Sequence, residues 1–93
     1  ETTLKRAKLY EDAGADGLFV TAISDPDIIQ QITAATFLPV NVVGTPAIPS
    51  IATLENCGVK RISMAVFLYK ATYNHLEKIS MQVNTENSLK PLF

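Results

Sequence analysis

The sequence predicts an α/β fold with a parallel sheet. Three short apolar runs start near residues 17, 39 and 59, each followed by a segment of helical periodicity, which gives a repeat of about 20 to 22 residues. Consecutive short βα units require a parallel sheet, because the helix carries the chain back and a right-handed crossover sets successive strands side by side. Three strands do not close a barrel. The pattern therefore predicts either a small open α/β sheet or three-eighths of a (β/α)8 barrel of roughly 250 residues.

Two glycines, Gly14 and Gly17, lie between the first predicted helix and the first predicted strand. Thr2 or Thr3 can cap a helix that ends at Gly14. Its apolar positions recur every third residue, at Leu4, Ala7, Tyr10 and Ala13. Residues 17–21 form a short apolar run of the kind expected for a parallel strand that is covered on both faces.

The second unit has the clearest start signal in the chain. Asp25 followed by Pro26 predicts an N-cap and the first helical residue. The apolar stripe of this helix is Ile28, Ile29, Ile32 and Ala35. Residues 38–43 then predict a second buried strand and residues 44–49 a loop, after which Ser50 is placed to cap the next helix.

The third unit begins after Gly58, which predicts the end of the third helix. A third strand is expected from residue 59 to about residue 66, and a long last helix follows it. The inner face predicted for that helix consists of Leu68, Tyr69, Thr72, Leu76, Ile79 and Val83.

Composition excludes several classes of function. The net charge is −1 and the basic residues are scattered, so no nucleic-acid partner is expected. No apolar run approaches the roughly 20 residues of a membrane span, so no membrane association is expected either. The one cysteine excludes an internal disulfide and fits a reducing compartment, which predicts a cytoplasmic location.

The chain also has the composition of part of a larger protein. It has 93 residues, of which 47% are hydrophobic and only 18% are charged, and it begins at Glu1 rather than at Met. A separate chain of this size buries only about 60 to 65% of its unfolded surface. We therefore expect a single partial domain, residues 1–93, that is a fragment of a longer chain.

Four stretches, read in order, resemble the C-terminal part of the phosphoenolpyruvate mutase/isocitrate lyase superfamily. They are AGADGLFV with SDPDIIQQI, the strand LPVNVV, the loop GTPAIPS, and LENCGVKRISMAVFLYKA. The resemblance implies a helix followed by the last three βα units of a (β/α)8 TIM barrel. It also implies that the last helix is exchanged with a neighbouring subunit, which would make the protein a homo-oligomer.

The resemblance implies an enzyme that makes or breaks C–C or P–C bonds next to a 2-oxo acid or its enolate, with Mg²⁺ holding the oxygens. Its substrate would be a small 2-oxo acid or a phosphonate. The Asp-rich metal segment and the Lys-x-Cys-Gly-His loop of the family do not occur in these residues. We therefore expect no catalytic or metal-binding residue and no cofactor in this chain alone. The alternative is a small open α/β module that binds a partner or an anion at its strand ends.

The candidate substrate-binding residues are Thr45, Asn41 and Thr21. Barrel active sites lie at the carboxyl ends of the strands, where Thr21 and Thr45 are expected, and Asn41 shares a strand face with Thr45 by the period of two. Several family members place a hydroxyl that binds a substrate carboxylate where Thr45 stands. Members that cleave methylisocitrate have a Glu at the position of Thr21, so this substrate is disfavoured. Asn41 lies inside an apolar strand and must find hydrogen-bond partners, either a ligand or its barrel neighbours, and in both cases it stays buried.

Other residues that could suggest a site have a structural explanation. His75 has no second ligand at metal spacing, and Cys57 precedes a strand at the end of the barrel that serves stability. Asp25 is explained by helix capping. Lys60 and Arg61, at the start of a strand, are read as a solvated pair.

Overall fold

A computed structural model describes residues 2–93. The helices are α1 (Thr2–Asp12), α2 (Pro26–Ala34), α3 (Ile51–Asn56) and α4 (Phe67–Glu86), and a 3-10 turn spans Lys90–Leu92. The strands are β1 (Leu18–Val20), β2 (Val40–Val43) and β3 (Arg61–Ser63). The predicted succession of helices and strands is confirmed, although each strand is shorter than predicted.

The three strands form one parallel sheet in the order β1, β2, β3. Because neighbours in sequence are neighbours in the sheet, right-handed crossovers place α2 and α3 on the same face. The sheet therefore winds in one direction, with one face covered by helices and the other face bare. Its outer strands, β1 and β3, each have one unpaired edge within the described residues.

The core lies between the helices and the covered face. Ile29, Leu54 and Val42 have 2% or less of their surface exposed. The rest of the buried apolar cluster is Ala7, Leu18, Ile32, Val40, Cys57 and Val59. These residues come from all three βα units, so the units share a single core.

Local signals set most helix boundaries where the sequence predicts them. The Asp25 side chain caps α2 by accepting a hydrogen bond from the Asp27 N–H at 2.9 Å. Ser50 caps α3 in the same way, accepting from the Thr53 N–H at 3.2 Å. Gly14 and Gly58 take φ values of 91° and 89°, a region that favours glycine, where the chain leaves α1 and α3. Thr2 and Thr3 lie inside α1 and do not cap it.

Two predictions about the last third of the chain are wrong. The third strand ends at Ser63 rather than near Val66, because Ala65 adopts a φ of 47° and its N–H bonds to the Ser63 hydroxyl at 3.2 Å. The predicted inner face of α4 is also not buried, since no residue of this helix is buried. Instead, α4 packs against the 3-10 turn and extends from the sheet, so that the molecule measures 61 × 25 × 20 Å.

None of the helices in residues 2–93 combines the length and the hydropathy of a membrane-spanning segment.

Candidate functional site

The bare face and the carboxyl edge of the sheet carry the polar residues singled out from the sequence. Thr21 directly follows β1, and Thr45 lies two residues past the end of β2. The carboxyl ends of parallel strands lie at the same edge of a sheet, so both threonines belong to that edge. Asn41 lies on β2 itself, two residues before the end of that strand.

Thr45 is half-buried and is held by its backbone. Its N–H donates to the Val43 carbonyl at 3.0 Å, and its own carbonyl accepts from the Ile48 N–H at 3.0 Å. Pro46, at the second position of the turn, presets the backbone angle. Among residues 2–93 the Thr45 hydroxyl has no hydrogen-bond partner, and the cap of α3 is Ser50 instead. The turn thus fixes the backbone of Thr45, while its hydroxyl is not used within the described residues.

Thr21 is exposed beside a groove that follows the free edge of β1. The groove has a volume of about 650 Å³ and lies between α1 and β1, with Arg6, Tyr10, Phe19 and Thr21 among its lining residues. Its floor includes the unpaired edge of the strand. Thr21 is therefore less restrained than Thr45.

Asn41 is buried, as predicted, with 9% of its surface exposed. Its Oδ1 atom is buried without a hydrogen-bond partner among the described residues, and the expectation that a ligand or barrel neighbours supply that partner stays a prediction. Asn41 faces away from the helices, and its cross-strand neighbours on that face are Phe19 and Arg61.

Lys60 and Arg61 are both exposed, which agrees with their interpretation as a solvated pair. The sequence did not show that Arg61 lies beside Asn41 on this face. The Cα atoms of Asn41 and Arg61 are paired in the ladder between β2 and β3, so the two side chains point to the same side of the sheet. The signal was present in the alternation of β3, where Ile62 turns to the core and its neighbours Arg61 and Ser63 turn away.

The residues explained by structural roles lie apart from this face or are engaged elsewhere. His75 is exposed on α4. Cys57 is buried at the end of α3, where its thiol donates to the Pro26 carbonyl at 3.6 Å. The capping role predicted for Asp25 is confirmed.

A Mg²⁺ site would need clustered oxygen ligands within the part of the chain that the structure describes. Among residues 2–93, no group of three His, Cys, Asp or Glu side chains is arranged to hold a metal ion. Mg²⁺ is held in octahedral geometry by oxygen ligands that usually include one or two carboxylates. The three candidate residues, Thr21, Asn41 and Thr45, carry no carboxylate.

Comparison with known proteins identifies the family. Residues 1–84 match the family model for phosphoenolpyruvate phosphomutase. An uncharacterized protein of Mycobacterium tuberculosis is 41% identical over 70 residues, which are 75% of this chain and 27% of the relative. An oxaloacetate decarboxylase of Rhodopseudomonas palustris is 39% identical over 66 residues, which are 71% of this chain and 22% of the relative. The chain thus spans about a quarter of the length of these relatives.

Solved structures agree with this assignment. A Burkholderia cenocepacia protein described as a candidate phosphonomutase is 42% identical, with a TM-score of 0.81, over 87% of this chain and 32% of its own. A phosphoenolpyruvate phosphomutase from Streptomyces platensis is 24% identical, with a TM-score of 0.77, over 94% of this chain and 32% of its own. The latter likeness shows a shared fold. The family match and the relatives together confirm the resemblance, and the chain belongs to the phosphoenolpyruvate phosphomutase family of the phosphoenolpyruvate mutase/isocitrate lyase superfamily.

Proposed function

We propose that this chain forms the last three βα units of a (β/α)8 barrel enzyme that makes or breaks a C–C or P–C bond next to a 2-oxo acid or its enolate. The observation that carries the proposal is the singly wound sheet with a bare face and two unpaired edges. A barrel needs this arrangement, because its strands continue around both edges and its bare face becomes the packed interior. The family match over residues 1–84 supports this class of reaction.

In this proposal the chain contributes substrate-binding groups. The Thr45 hydroxyl donates to a carboxylate of a small 2-oxo acid or phosphonate at the mouth of the barrel. Asn41 contributes its amide from deeper in the interior, and Thr21 lies at the rim next to the preceding strand. A hydrogen bond to a carboxylate is charge-assisted and fixes the orientation of the substrate.

The reacting groups and the Mg²⁺ ligands belong, in this proposal, to strands outside residues 1–93. The described residues do not fit a metal, so we assign no step of the reaction to Mg²⁺ held by this chain. The isolated chain is expected to be inactive towards 2-oxo acids. A cytoplasmic location is part of the proposal, supported by a single free cysteine.

We also propose that α4 pairs with another copy of the protein. Its exposed apolar side chains include Leu68, Tyr69 and Leu76, each with more than half of its surface exposed. Such a stripe on a 20-residue helix is a large unburied apolar surface for a single chain. A homo-oligomer joined through α4 would cover it.

The test uses a barrel of the relatives' full length that contains this chain. The protein is incubated with Mg²⁺ and oxaloacetate or phosphonopyruvate, and products are followed by ¹H and ³¹P NMR. We expect turnover of a 2-oxo acid, and we expect Thr45→Val to weaken substrate or transition-state binding by about 1.5 to 3 kcal/mol. Val keeps the shape of Thr and removes the donor, so the melting temperature should hardly change.

Two results would count against this function. If the full-length protein turns over neither substrate class, the proposed reaction is wrong. If Thr45→Val leaves kcat/KM within a factor of about two while lowering the melting temperature, then Thr45 is a turn residue and the proposed carboxylate contact does not exist.

A further inference from the structure

Gly44 lies between the end of β2 and Thr45, at the point where the chain turns. The Thr45 N–H donates to the Val43 carbonyl at 3.0 Å, which makes a three-residue turn centred on Gly44. The Gly44 N–H itself donates to the Ser63 carbonyl of β3 at 2.7 Å. This bond continues the contact between β2 and β3 one residue past the end of β2, so the turn that carries Thr45 is attached to the neighbouring strand.

The turn approaches β3 closely because residue 44 has no side chain. A Cβ atom at Gly44 would lie 3.3 Å from Ile62 Cγ2 and 3.5 Å from the Ser63 carbonyl oxygen. Carbon atoms are best separated by about 3.5 to 4.0 Å, so the contact with Ile62 would be too short. Ile62 packs against the buried core, which limits its room to withdraw. A methyl group at residue 44 would therefore push the turn away from β3.

Backbone conformation does not explain the glycine at this position. The φ of Gly44 is not positive, so a residue with a side chain can adopt a similar φ. Gly17, just before β1 at the opposite edge of the sheet, is a matched case. Its φ is not positive either, and a Cβ atom there would lie 3.3 Å from the Pro39 carbonyl oxygen.

We propose that Gly44 is a positioning residue for the Thr45 hydroxyl. By letting the turn close onto β3, it fixes where this hydroxyl lies at the carboxyl edge of the sheet. The Ile48 N–H bonds to the Thr45 carbonyl at 3.0 Å and holds the other side of the turn. The inference deepens the proposed function, on which the identity of the ligand at Thr45 rests, whereas the placement of the turn needs no substrate.

Amide hydrogen exchange in the unaltered 93-residue chain is the first test. The Gly44 amide should exchange roughly ten times more slowly than the amide of Ala47, which is exposed in the loop that follows. Equal rates, after correction for the intrinsic rates of the two residues, would show that the bond to Ser63 does not hold the turn. That result would overturn the proposal, and it does not depend on any variant folding.

Two variants with equally short contacts provide the second test. In Gly44→Ala, the amides of residues 44 and 48 should exchange roughly ten times faster than in the unaltered chain, because the turn has moved from β3. Gly17→Ala is the matched control and should leave both rates unchanged, since its strain lies at the other edge of the sheet. No acceleration in Gly44→Ala, or equal acceleration in the two variants, would contradict the proposal.

Making room beside residue 44 should restore the turn. Ile62→Ala removes Cγ2, the atom that the added methyl group would meet. When Gly44→Ala is combined with it, the Ile48 amide should exchange within a factor of about two of its rate in Ile62→Ala alone. An acceleration that persists in the double variant would show that the contact with Ile62 does not place the turn.

Kinetics in a barrel of the relatives' full length connect the turn to the hydroxyl. Gly44→Ala should lower kcat/KM roughly tenfold, and by no more than Thr45→Val does. Added to Thr45→Val, it should cost less than a further factor of about two, because the hydroxyl that it displaces is already gone. Gly17→Ala should leave kcat/KM within a factor of about two.

The possible failures can be told apart. Equal losses from Gly44→Ala with and without Thr45→Val would refute the positioning role, because Gly44 would then act on something other than the hydroxyl. A Thr45→Val barrel with full activity would instead defeat the carboxylate contact of the proposed function. In that case the exchange rates of residues 44 and 48 still decide whether Gly44 places the turn.

Discussion

The hydroxyl of Thr33, in α2, donates a hydrogen bond to the carbonyl of Cys57 at the end of α3. The two residues are 24 positions apart, and the bond ties consecutive βα units together on the covered side of the sheet. The same hydroxyl lies 3.0 Å from the Gln30 carbonyl within its own helix. Thr33 therefore serves the packing of α2 against α3.

Replacing Thr33 with Val should destabilise the protein while keeping the shape of the side chain. The Cys57 carbonyl would lose its donor, and we expect the free energy of unfolding to fall by about 1 to 2 kcal/mol. Chemical denaturation at one fixed protein concentration measures this, because association shifts apparent stability. Thr33→Ser keeps the hydroxyl and should cost less, so equal losses for Ser and Val would show that the bond contributes nothing.

The glycines at the ends of α1 and α3 form a matched pair. Both have φ near 90°, but a Cβ atom at Gly58 would lie 3.1 Å from Thr33 Oγ1 and 3.2 Å from Thr33 Cβ, whereas a Cβ atom at Gly14 would meet nothing within 4 Å. Gly14→Ala should cost about 1 kcal/mol from backbone strain alone. Gly58→Ala should cost more, because the added methyl also displaces Thr33. Equal melting temperatures for the two variants would show that the contact with Thr33 relaxes freely.

Glu11 should anchor α1 to the loop before β2. Its Oε1 atom accepts from the Phe37 N–H at 2.8 Å and from the Thr36 hydroxyl at 3.1 Å. Glu11→Ala should reduce the free energy of unfolding by about 1.5 to 3 kcal/mol, as expected for hydrogen bonds to a charged group. Glu55→Ala, an exposed substitution on α3, is the control in the same denaturation experiment and should change stability by no more than about 0.5 kcal/mol. Similar effects of the two changes would contradict the anchoring role.

Removing α4 should change the association state more than the stability of the sheet. No residue of α4 is buried, so ending the chain at Val66 removes little of the core. Sedimentation velocity at micromolar concentration should find the complete chain associated and the shortened chain in a smaller species. A complete chain that sediments as a well-folded monomer would contradict association through α4.

The sequence predicted the features that depend on local chemistry. A few neighbouring residues determine the helix caps at Asp25 and Ser50 and the helix ends at Gly14 and Gly58. These features can therefore be recognised in the sequence without knowledge of the fold. The burial of Asn41 followed from its place in an apolar strand.

The features that depend on the rest of the structure were not predictable in the same way. An amphipathic stripe on α4 indicates that a face needs covering but does not say which chain covers it, and here the chain itself does not. Lys60 and Arg61 were predicted to be a solvated pair and both are exposed, but that prediction did not place Arg61 beside Asn41. The ladder register that pairs Arg61 with Asn41 became visible only when β2 and β3 were aligned.

The central claim is that strands outside residues 1–93 complete this sheet, and hydrogen exchange at β1 tests it most directly. The Leu18 N–H bonds at 2.9 Å to the carbonyl of Pro39, the residue just before β2, so by alternation the Phe19 N–H points to the open edge and the Val20 N–H points to β2. In the 93-residue chain we predict that the Phe19 amide exchanges roughly ten times faster than the Val20 amide. In a barrel of the relatives' full length both amides should be protected. A Phe19 amide already protected in a monomer of this chain, or still unprotected in the longer protein, would contradict the claim.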